Sequence, residues 1–435
     1  MPANNTLEST RFRAYGPRHL DTIARRYGLP PDLLDSMRST SLVLPFRVND
    51  YVLDNLIDWR NVPDDPIFQL TFPQPGMLTG EDERQLAVST GSGRREVVTA
   101  IRGRLNPHPS AQASNVPVQG GEAVPGLQHK YRETVLYFPG QGQTCHTYCT
   151  YCFRWAQFVG DPGLRFAAAD PSGLIAYLRV HPEVCDVLVT GGDPMVMSAD
   201  RLRSHLTPLL ALDTVRTIRI GTKSVAYWPH RFTTDSDAGE VARLFEDIVA
   251  SGRHLAVMAH VSHPRELATG PARRALRRIR ATGAAVYGQA PLIAHVNDDA
   301  TVIGDLWRSE YGAGVVPYYL FVARDTGPHG YFKVPLAKAL DIFQTAYRTL
   351  PGLARTVRGP VMSASPGKVV VDGVEETSGD RHFQLRMVQA RDPALVGRPF
   401  RARYSATAAW LDELDVVSAV PRDLAAAFRS TASRP

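Results

Sequence analysis

Between about residue 130 and residue 350 the sequence alternates between short apolar runs and amphipathic segments, and this alternation constrains the fold more than any other feature. Six runs have the length and composition of buried strands: Thr134–Pro139, Asp186–Thr190, Thr217–Gly221, His254–Val261, Ala285–Leu292 and Val315–Ala323. The helical patterns are Pro171–Val180, Ala199–Leu212, Glu240–Ala250, Pro271–Thr282, Thr301–Tyr311 and Leu336–Leu350. Strands that alternate with helices in this way predict parallel βαβ units.

We therefore predict an α/β protein built on an incomplete (β/α)6 TIM-like barrel, with a doubly wound open sheet as the alternative. In both folds the functional residues are expected at the carboxyl ends of the strands. The 435 residues exceed what one hydrophobic core usually holds. We expect a mostly helical N-terminal extension over residues 1–125, the barrel over 126–351 and a C-terminal segment over 352–435.

Composition excludes several classes of protein. Hydrophobic residues make up 44% and charged residues 21% of the chain, which is ordinary globular usage and excludes a wholly disordered or fibrous protein. The net charge is only +6, and the arginines are scattered rather than gathered into a basic stripe, so we expect no nucleic-acid partner. The sequence has no apolar run of membrane-spanning length and no signal-peptide pattern near Met1, so we expect a cytoplasmic protein without a membrane partner.

Three of the four cysteines lie within eight residues, as Cys145, Cys149 and Cys152 in a C-x3-C-x2-C spacing just after the first predicted strand. Thiolates are the usual ligands of iron–sulfur clusters, which normally take four, so three local cysteines would leave one iron open to a small molecule. The alternatives are incidental buried thiols or a zinc site with His146 as fourth ligand. Zinc sites usually pair two short cysteine or histidine knuckles, and the sequence contains no second one.

This cysteine spacing resembles that of the radical S-adenosylmethionine (SAM) superfamily. A second superfamily element, a Gly-Gly-acidic turn at the end of the next strand, is matched by Gly191, Gly192 and Asp193. The resemblance implies that the three cysteines hold a [4Fe-4S] cluster whose open iron binds SAM, while the glycine turn contacts the methionine amino group. The reduced cluster would then cleave SAM to a carbon radical that removes an unactivated hydrogen atom, chemistry that side chains cannot perform.

Further motifs resemble the lysine 2,3-aminomutase family over about residues 40–370. They are Pro45-Phe46-Arg47-Val48, His129-Lys130-Tyr131, Cys152-Phe153-Arg154, Arg219-Ile220-Gly221-Thr222, His263-Pro264, Gln289, Asn297-Asp298, Pro317-Tyr318-Tyr319 and Pro366-Gly367-Lys368. The family resemblance implies an isomerase that moves the α-amino group of a free amino acid to C3. It also implies pyridoxal 5′-phosphate (PLP) as a cofactor, an electron donor of flavodoxin or ferredoxin type, and a homo-oligomer.

The family motifs also imply roles for individual residues. Lys368 matches the lysine that carries PLP as a Schiff base, and Arg154 matches the residue that grips the substrate α-carboxylate. A guanidinium suits that task because it can make two parallel bonds to a carboxylate. The positions expected near the two cofactors are Lys130, Tyr131, His260 and Gln289, with His263 and Asn297 as further candidates.

The chain departs from the family where lysine-specific members bind the substrate ammonium with two carboxylates. One of those positions falls on Arg324, with Asp325 one residue later, and the other lies in Ser363-Ala364-Ser365. A cationic side chain facing Arg324 would be repelled by about 1–4 kcal/mol. We therefore expect an acidic or polar substrate, or arginine if Asp325 takes over the position. In addition, Thr134 stands where the family has an arginine near the PLP phosphate.

Three hypotheses follow from the sequence. The first is a radical SAM and PLP-dependent amino acid 2,3-aminomutase. The second is a radical SAM enzyme of another reaction type, acting on an amino acid or on a protein lysine. The third is a non-enzymatic iron–sulfur protein, which would neither cleave SAM nor bind PLP.

Overall fold

One large mixed sheet organises the protein, which a computed structural model describes over residues 11–107, 115–160, 166–364 and 367–417. The strands are β1 (Ala14–Tyr15), β2 (Val48–Asn49), β3 (Val118–Gln119), β4 (Glu122–Ala123), β5 (Leu127–Tyr131), β6 (Thr134–Tyr137), β7 (Asp186–Val189), β8 (Thr217–Thr222), β9 (His254–His260), β10 (Ala285–Leu292), β11 (Val316–Val322), β12 (Arg358–Ser363), β13 (Gly367–Thr377), β14 (Asp380–Ala390) and β15 (Pro399–Arg403). Strands β5 to β15 form a single eleven-stranded sheet in sequence order, while β1 pairs with β2 and β3 with β4.

The predicted α/β class is confirmed, and strands β6 to β11 correspond to the six predicted strands. Each pairs in parallel with the next. The helices that connect or follow them are α7 (Ser172–Val180), α8 (Ala199–Leu206), α9 (Ser224–Tyr227), α10 (Ala238–Ala250), α11 (Arg265–Ala268), α12 (Gly270–Ala281), α13 (Ala300–Gly312), α14 (His329–Phe332) and α15 (Leu336–Arg348). They follow α1 to α6 of the N-terminal region.

The incomplete (β/α)6 barrel stays a prediction, and the structure corrects its strand count. A seventh parallel strand, β12, follows β11, and the antiparallel strands β13 to β15 extend the same sheet. Within the described ranges, no backbone pairing joins the two edge strands β5 and β15. The end of β12 nevertheless reaches the β5 edge, because Nζ of Lys130 donates a hydrogen bond to the carbonyl oxygen of Ala364.

The two faces of the parallel strands differ in chemistry because successive side chains point to opposite sides. On β8, Ile218 and Ile220 are fully buried and belong to one core with helix residues such as Leu202. The intervening Arg219 lies on the other face, where it forms two hydrogen bonds of 2.8 and 2.5 Å to Asp186 on β7. The sheet therefore presents an apolar face to the helices, and its other side carries charged residues such as Arg219 and Asp186.

The N-terminal region is mostly helical over the part that the structure describes. Its helices are α1 (Leu20–Tyr27), α2 (Pro31–Val43), α3 (Asp50–Asn55), α4 (Pro66–Thr71), α5 (Gly80–Val88) and α6 (Gly91–Leu105). Their core, which includes Phe46 and Phe68, also takes in Trp155, Trp228 and Phe332 from beyond residue 126. The extension is thus packed directly against the loops that follow the parallel strands.

The C-terminal strands bring Lys368 to the sheet. Lys368 on β13 pairs with Ser363 on β12 and with Gln389 on β14. The division of the chain at residues 125 and 351 stays a prediction, and the sheet itself runs across the second boundary without a break. Ser365 and Pro366, together with residues 418–435, lie outside the described residues. In the described part of the chain, no helix is long and apolar enough to cross a membrane.

We predict that Gly367→Ala destabilises the sheet beside Lys368. A Cβ atom at this position would lie 2.1 Å from the backbone oxygen of Gln389, so β13 and β14 would have to separate. We expect the free energy of unfolding to fall by about 1–3 kcal/mol, measured as a lower Tm. Gly373→Ala on the same strand is the control, because its Cβ would meet no atom closer than 3.9 Å. An equal Tm for both variants would contradict this packing.

Candidate cofactor and substrate site

The three clustered cysteines lie on the loop after β6, and hydrogen bonds to the N-terminal region fix this loop. The backbone N–H groups of Tyr148 and Thr150 donate to the carbonyl oxygens of Arg47 and Leu70, at 2.8 and 3.0 Å. The buried Asn49 side chain donates to the carbonyl oxygen of His146 at 3.3 Å. The cysteine positions therefore depend on residues about one hundred positions earlier in the chain.

Each of the three thiols is shielded from solvent and has one positively charged side chain nearby. All are free of disulfides. Burial raises the pKa of the Cys145 and Cys149 thiols, and burial with neighbouring Cys149 raises the pKa of Cys152 to about 12. Arg47 beside Cys145, Lys223 beside Cys149 and Arg154 beside Cys152 act in the opposite direction, lowering the pKa of each thiol. Such a setting favours thiolates that share an additional positive charge, as metal-bound thiolates do.

The predicted glycine turn lies against the residues just before Cys145. A Cβ atom on Gly191 would lie 2.2 Å from the side chain of Gln143, and one on Gly192 would lie 2.4 Å from the backbone oxygen of Thr144. Gly191 also has a φ angle of 142°, a conformation that other residues rarely adopt. Both glycines are therefore needed for the close approach of the turn to the cysteine loop.

Asp193 holds this turn onto the next strand. Its carboxylate accepts hydrogen bonds from the hydroxyl of Thr222 at 2.7 Å, the hydroxyl of Ser224 at 3.0 Å and the backbone N–H of Lys223 at 2.9 Å. It also accepts from the backbone N–H of Met195 at 2.9 Å. Because these groups occupy both oxygens, the side chain links the ends of β7 and β8. The contact between this turn and the amino group of SAM, which the resemblance implies, stays a prediction.

His260, the last residue of β9, contacts the cysteine loop. Its Nδ1 lies 3.2 Å from the hydroxyl of Tyr151, the residue that precedes Cys152 in the sequence. Burial, together with Lys223, lowers the pKa of His260 to about 3, so the ring is neutral. Lys223 itself forms a 2.6 Å ion pair with the fully buried Glu266. Gln289 lies opposite His260 in the register of β10 and β9, and its side chain is half-buried.

His263 and Asn297, the further candidates, are held by local hydrogen bonds. Nδ1 of His263 accepts from the backbone N–H of Arg265 at 3.2 Å. The Asn297 amide donates to the carbonyl oxygens of Ser262 and Pro291, at 2.9 and 3.0 Å, and accepts from the backbone N–H of Ile293. The Asn297 side chain therefore orders the loop after β10.

Two arginines, the buried Arg154 and the half-buried Arg324, meet on one aromatic ring next to the cysteine loop. The guanidinium carbon of Arg154 lies 4.9 Å from the ring centre of Phe153, and that of Arg324 lies 5.3 Å from the same centre. Burial lowers the pKa of Arg154 to about 10, with a further contribution from Arg324, but both remain charged. Among the described residues, Nη1 of Arg154 and Nε of Arg324 have no hydrogen-bond partner. Asp325 follows Arg324 and counters the effect of burial on its pKa.

Lys368 lies between two tyrosine rings. Its Nζ is 5.3 Å from the ring centre of Tyr131 and 4.7 Å from that of Tyr319, and it donates a 2.6 Å hydrogen bond to Oε1 of Gln389. Burial, with the charges of Arg219 and Arg358, lowers the pKa of Lys368 to about 7. Lys130 is similar, since burial together with Arg324 and Lys368 lowers its pKa to about 7. At neutral pH, Lys368 therefore carries an uncharged amine in a substantial fraction of the protein molecules.

The alternative of a zinc site receives no support from this arrangement. Nδ1 of His146 is within 2.9 Å of the hydroxyl of Ser224. Over the described residues, no group of three or more Cys, His, Asp or Glu side chains is arranged to hold a single metal ion. A four-iron cluster does not need such a group, because each thiolate binds a different iron.

Comparison with known proteins decides the family. A putative L-lysine 2,3-aminomutase of Aquifex aeolicus is 32% identical over 368 residues, which cover 85% of this chain and 87% of that protein. The chain belongs to the lysine 2,3-aminomutase family of radical SAM enzymes. L-lysine 2,3-aminomutases of Escherichia coli and Bacillus subtilis are 28% and 27% identical, over 77% and 58% of this chain and 85% and 54% of theirs. No family model matches the chain.

The solved structures add no argument about the fold. A radical SAM methyltransferase from Sphaerobacter thermophilus has a TM-score of 0.35 and 17% identity, covering 53% of this chain and 68% of that one. Family membership implies an enzyme that uses a [4Fe-4S] cluster and SAM. The residues present fit that cluster, since three free thiols on one anchored loop each have a cation beside them.

Sequence reasoning missed several residues that shape this site. The Lys223–Glu266 ion pair and the Asn49 hydrogen bonds join positions that are distant in the chain, so no local spacing signals them. Gln389 lies beyond residue 370, outside the stretch that resembles the family. A prediction of the β13–β14 hairpin, with its Lys368–Gln389 register, would have found it.

We predict that Gly192→Ala lowers the iron and sulfide content of anaerobically reconstituted protein to less than half that of wild type. The added methyl group would displace the Thr144 backbone and therefore the adjacent Cys145. Gly142→Ala is the matched control on the same loop, because its Cβ would meet no atom closer than 3.4 Å. Circular dichroism checks that both variants fold. A Gly192→Ala variant with full iron content would show that the turn does not set the cysteine position.

Proposed function

We propose that this enzyme is a 2,3-aminomutase that uses the cluster, SAM and PLP to move the α-amino group of a free amino acid to C3. The observation that carries this proposal is the juxtaposition of three elements: the thiol-bearing loop, the two arginines on the Phe153 ring, and a lysine of lowered pKa between two tyrosines. Each element matches one requirement of the reaction, namely radical generation, substrate orientation and covalent handling of the amino nitrogen.

Arg154 would orient the substrate. Its guanidinium is buried two residues after Cys152, and Nη1 has no partner in the described part of the chain. A buried, charged group without a partner is costly, so the site favours an anion that supplies the missing hydrogen bonds. The α-carboxylate of an amino acid provides such an anion in bidentate geometry. Binding there would place the substrate β-carbon beside the cysteine loop.

Arg324 supports an acidic side chain on the substrate. It contributes a second unpartnered nitrogen next to the same ring, and its charge repels that of Arg154. A dicarboxylic amino acid would neutralise both guanidinium groups at once. Lysine would instead place an ammonium beside Arg324. Arginine is the second candidate substrate because Asp325 lies next to Arg324 and opposes its charge.

The Tyr131–Lys368–Tyr319 arrangement fits PLP. Two aromatic rings flank Nζ of Lys368 and form a slot whose walls suit a flat pyridine ring. Nearby Lys130 provides a candidate phosphate contact, whereas Thr134 cannot replace the family arginine, because its hydroxyl donates to Asp186 at 2.9 Å. When bound, PLP supplies a covalent attachment for the migrating nitrogen and an electron sink, while the cluster and SAM supply a radical that takes a hydrogen atom.

The remaining residues would exclude side reactions. A radical must reach its substrate hydrogen before it meets another donor, so the reacting atoms must be held close together and shielded from solvent. The loop containing the cysteines is covered by the N-terminal core, which includes Trp155 and Trp228.

We further propose that the polar face of the sheet curves into the incomplete barrel that encloses these groups. A flavodoxin- or ferredoxin-type donor would supply the electron, and the enzyme would act as a cytoplasmic homo-oligomer.

A panel of free amino acids tests the substrate, assayed anaerobically with SAM, PLP and a low-potential reductant. We expect a β-amino acid product from glutamate or another acidic amino acid, and none from lysine. Arg324→Met should lower kcat/KM for the acidic substrate about 100-fold, because a charge-assisted bond is lost. Arg154→Met should remove activity with every substrate. Consumption of an amino acid without a β-amino product would favour another radical reaction, and rapid turnover of lysine would contradict the role of Arg324.

A further inference from the structure

The hydrogen bond between Lys368 and Gln389 connects the proposed catalytic lysine to a residue outside the family motifs. The two residues face each other across β13 and β14, and the Nζ to Oε1 distance is 2.6 Å. Both side chains are half-buried on the polar side of the sheet. In the described residues, Nζ forms no ion pair with a carboxylate, so Gln389 provides its one direct side-chain acceptor.

The other groups around Nζ do not replace this contact. Arg219 on β8 and Arg358 on β12 are cations, and Asp186 on β7 is engaged with Arg219. Lys130 on β5 donates its own hydrogen bond to Ala364. Tyr131 and Tyr319 contact Nζ through their ring faces. The lysine amine is therefore surrounded by positive charge and aromatic rings, with a neutral amide as its acceptor.

A neutral acceptor has a different effect on a lysine than a carboxylate has. A carboxylate would stabilise the ammonium form and raise the pKa of the lysine, whereas an amide oxygen orients the nitrogen without adding a negative charge. Only the unprotonated amine has the lone pair needed to attack a carbonyl carbon. Glutamine thus fixes the position of Nζ while leaving the amine available at neutral pH.

We propose that Gln389 is a positioning residue that holds Nζ of Lys368, as the free amine, in the slot between Tyr131 and Tyr319. In the step it serves, the nitrogen lone pair would attack the aldehyde carbon of PLP, a C=N bond would form, and the aldehyde oxygen would leave as water with the two protons of the amine. The same contact retains the amine when the substrate replaces it. This inference rests on the proposed function in assigning PLP to Lys368, but the Lys368–Gln389 contact can be tested without any cofactor.

The first experiment measures the titration of Lys368 in the protein without PLP. Reductive methylation with 13C-labelled formaldehyde gives few signals because the chain has only five lysines, and Lys368→Arg identifies the signal of Lys368. We expect Gln389→Glu to move the titration midpoint of Lys368 at least one unit to higher pH. Gln384→Glu is the matched control, since it adds the same charge to an exposed position of β14 and should leave the midpoint unchanged.

The second experiment follows covalent attachment of PLP by its visible absorbance as a function of pH. Gln389→Glu should slow attachment about fivefold at pH 7 and recover at pH 9, as expected for a midpoint one unit higher. Gln389→Met, which keeps the size but removes the acceptor, should slow attachment at every pH without an alkaline shift. It also provides a test if the glutamate variant does not fold.

The two experiments separate failure of the inference from failure of the proposed function. If wild type does not attach PLP, the proposed function is wrong, and the titration still tests the contact. If wild type attaches PLP but Gln389→Glu and Gln389→Met attach it at the wild-type rate with unchanged pH dependence, Gln389 has no positioning role. An unshifted Lys368 midpoint in Gln389→Glu would likewise overturn the inference.

Discussion

The buried carboxylate of Asp193 is the constraint on which the geometry of the candidate cofactor site depends. Four hydrogen-bond donors from two neighbouring strand ends converge on it, and the turn that it holds presses against the residues just before Cys145. Burial raises the pKa of this carboxyl, and the hydrogen bonds from Thr222, Met195, Lys223 and Ser224 partly offset that effect. Because a buried anion is costly without such partners, the strand ends, the turn and the cysteine loop are fixed together.

Unpaired positive charge is the second organising feature. Arg154, Arg324, Lys130 and Lys368 lie close enough for their charges to affect one another, and burial lowers the pKa of each one. Without bound anions these four positive charges are unfavourable, since each is partly desolvated and they repel one another. Anions that occupy the site during function would offset this cost in free energy. A substrate carboxylate and a cofactor phosphate have the required charge. Pre-organised cations of this kind need little rearrangement on binding.

The sequence was most informative where the relevant pattern is local. The period of the apolar runs located β6 to β11, and the spacing of three cysteines, together with the glycine turn, pointed to the family. The sequence was least informative where the structure joins segments that are distant in the chain. Strand β12 was missed although it follows the predicted helix α15, and no helices separate β12 from the hairpin after it, so the sheet was predicted too small. The Lys368–Gln389 contact depends on antiparallel register, and the anchoring of the cysteine loop by Asn49 depends on tertiary packing.

Cleavage of SAM by the reduced protein is the most direct test of the central claim that three thiolates leave one iron open for SAM. Wild type and Cys149→Ala are reconstituted anaerobically, reduced and incubated with SAM, and the products are quantified by chromatography. We expect wild type to contain four irons per chain and to release methionine and 5′-deoxyadenosine in equal amounts, while Cys149→Ala releases neither. A reconstituted wild-type protein that binds the cluster but leaves SAM intact would contradict the account.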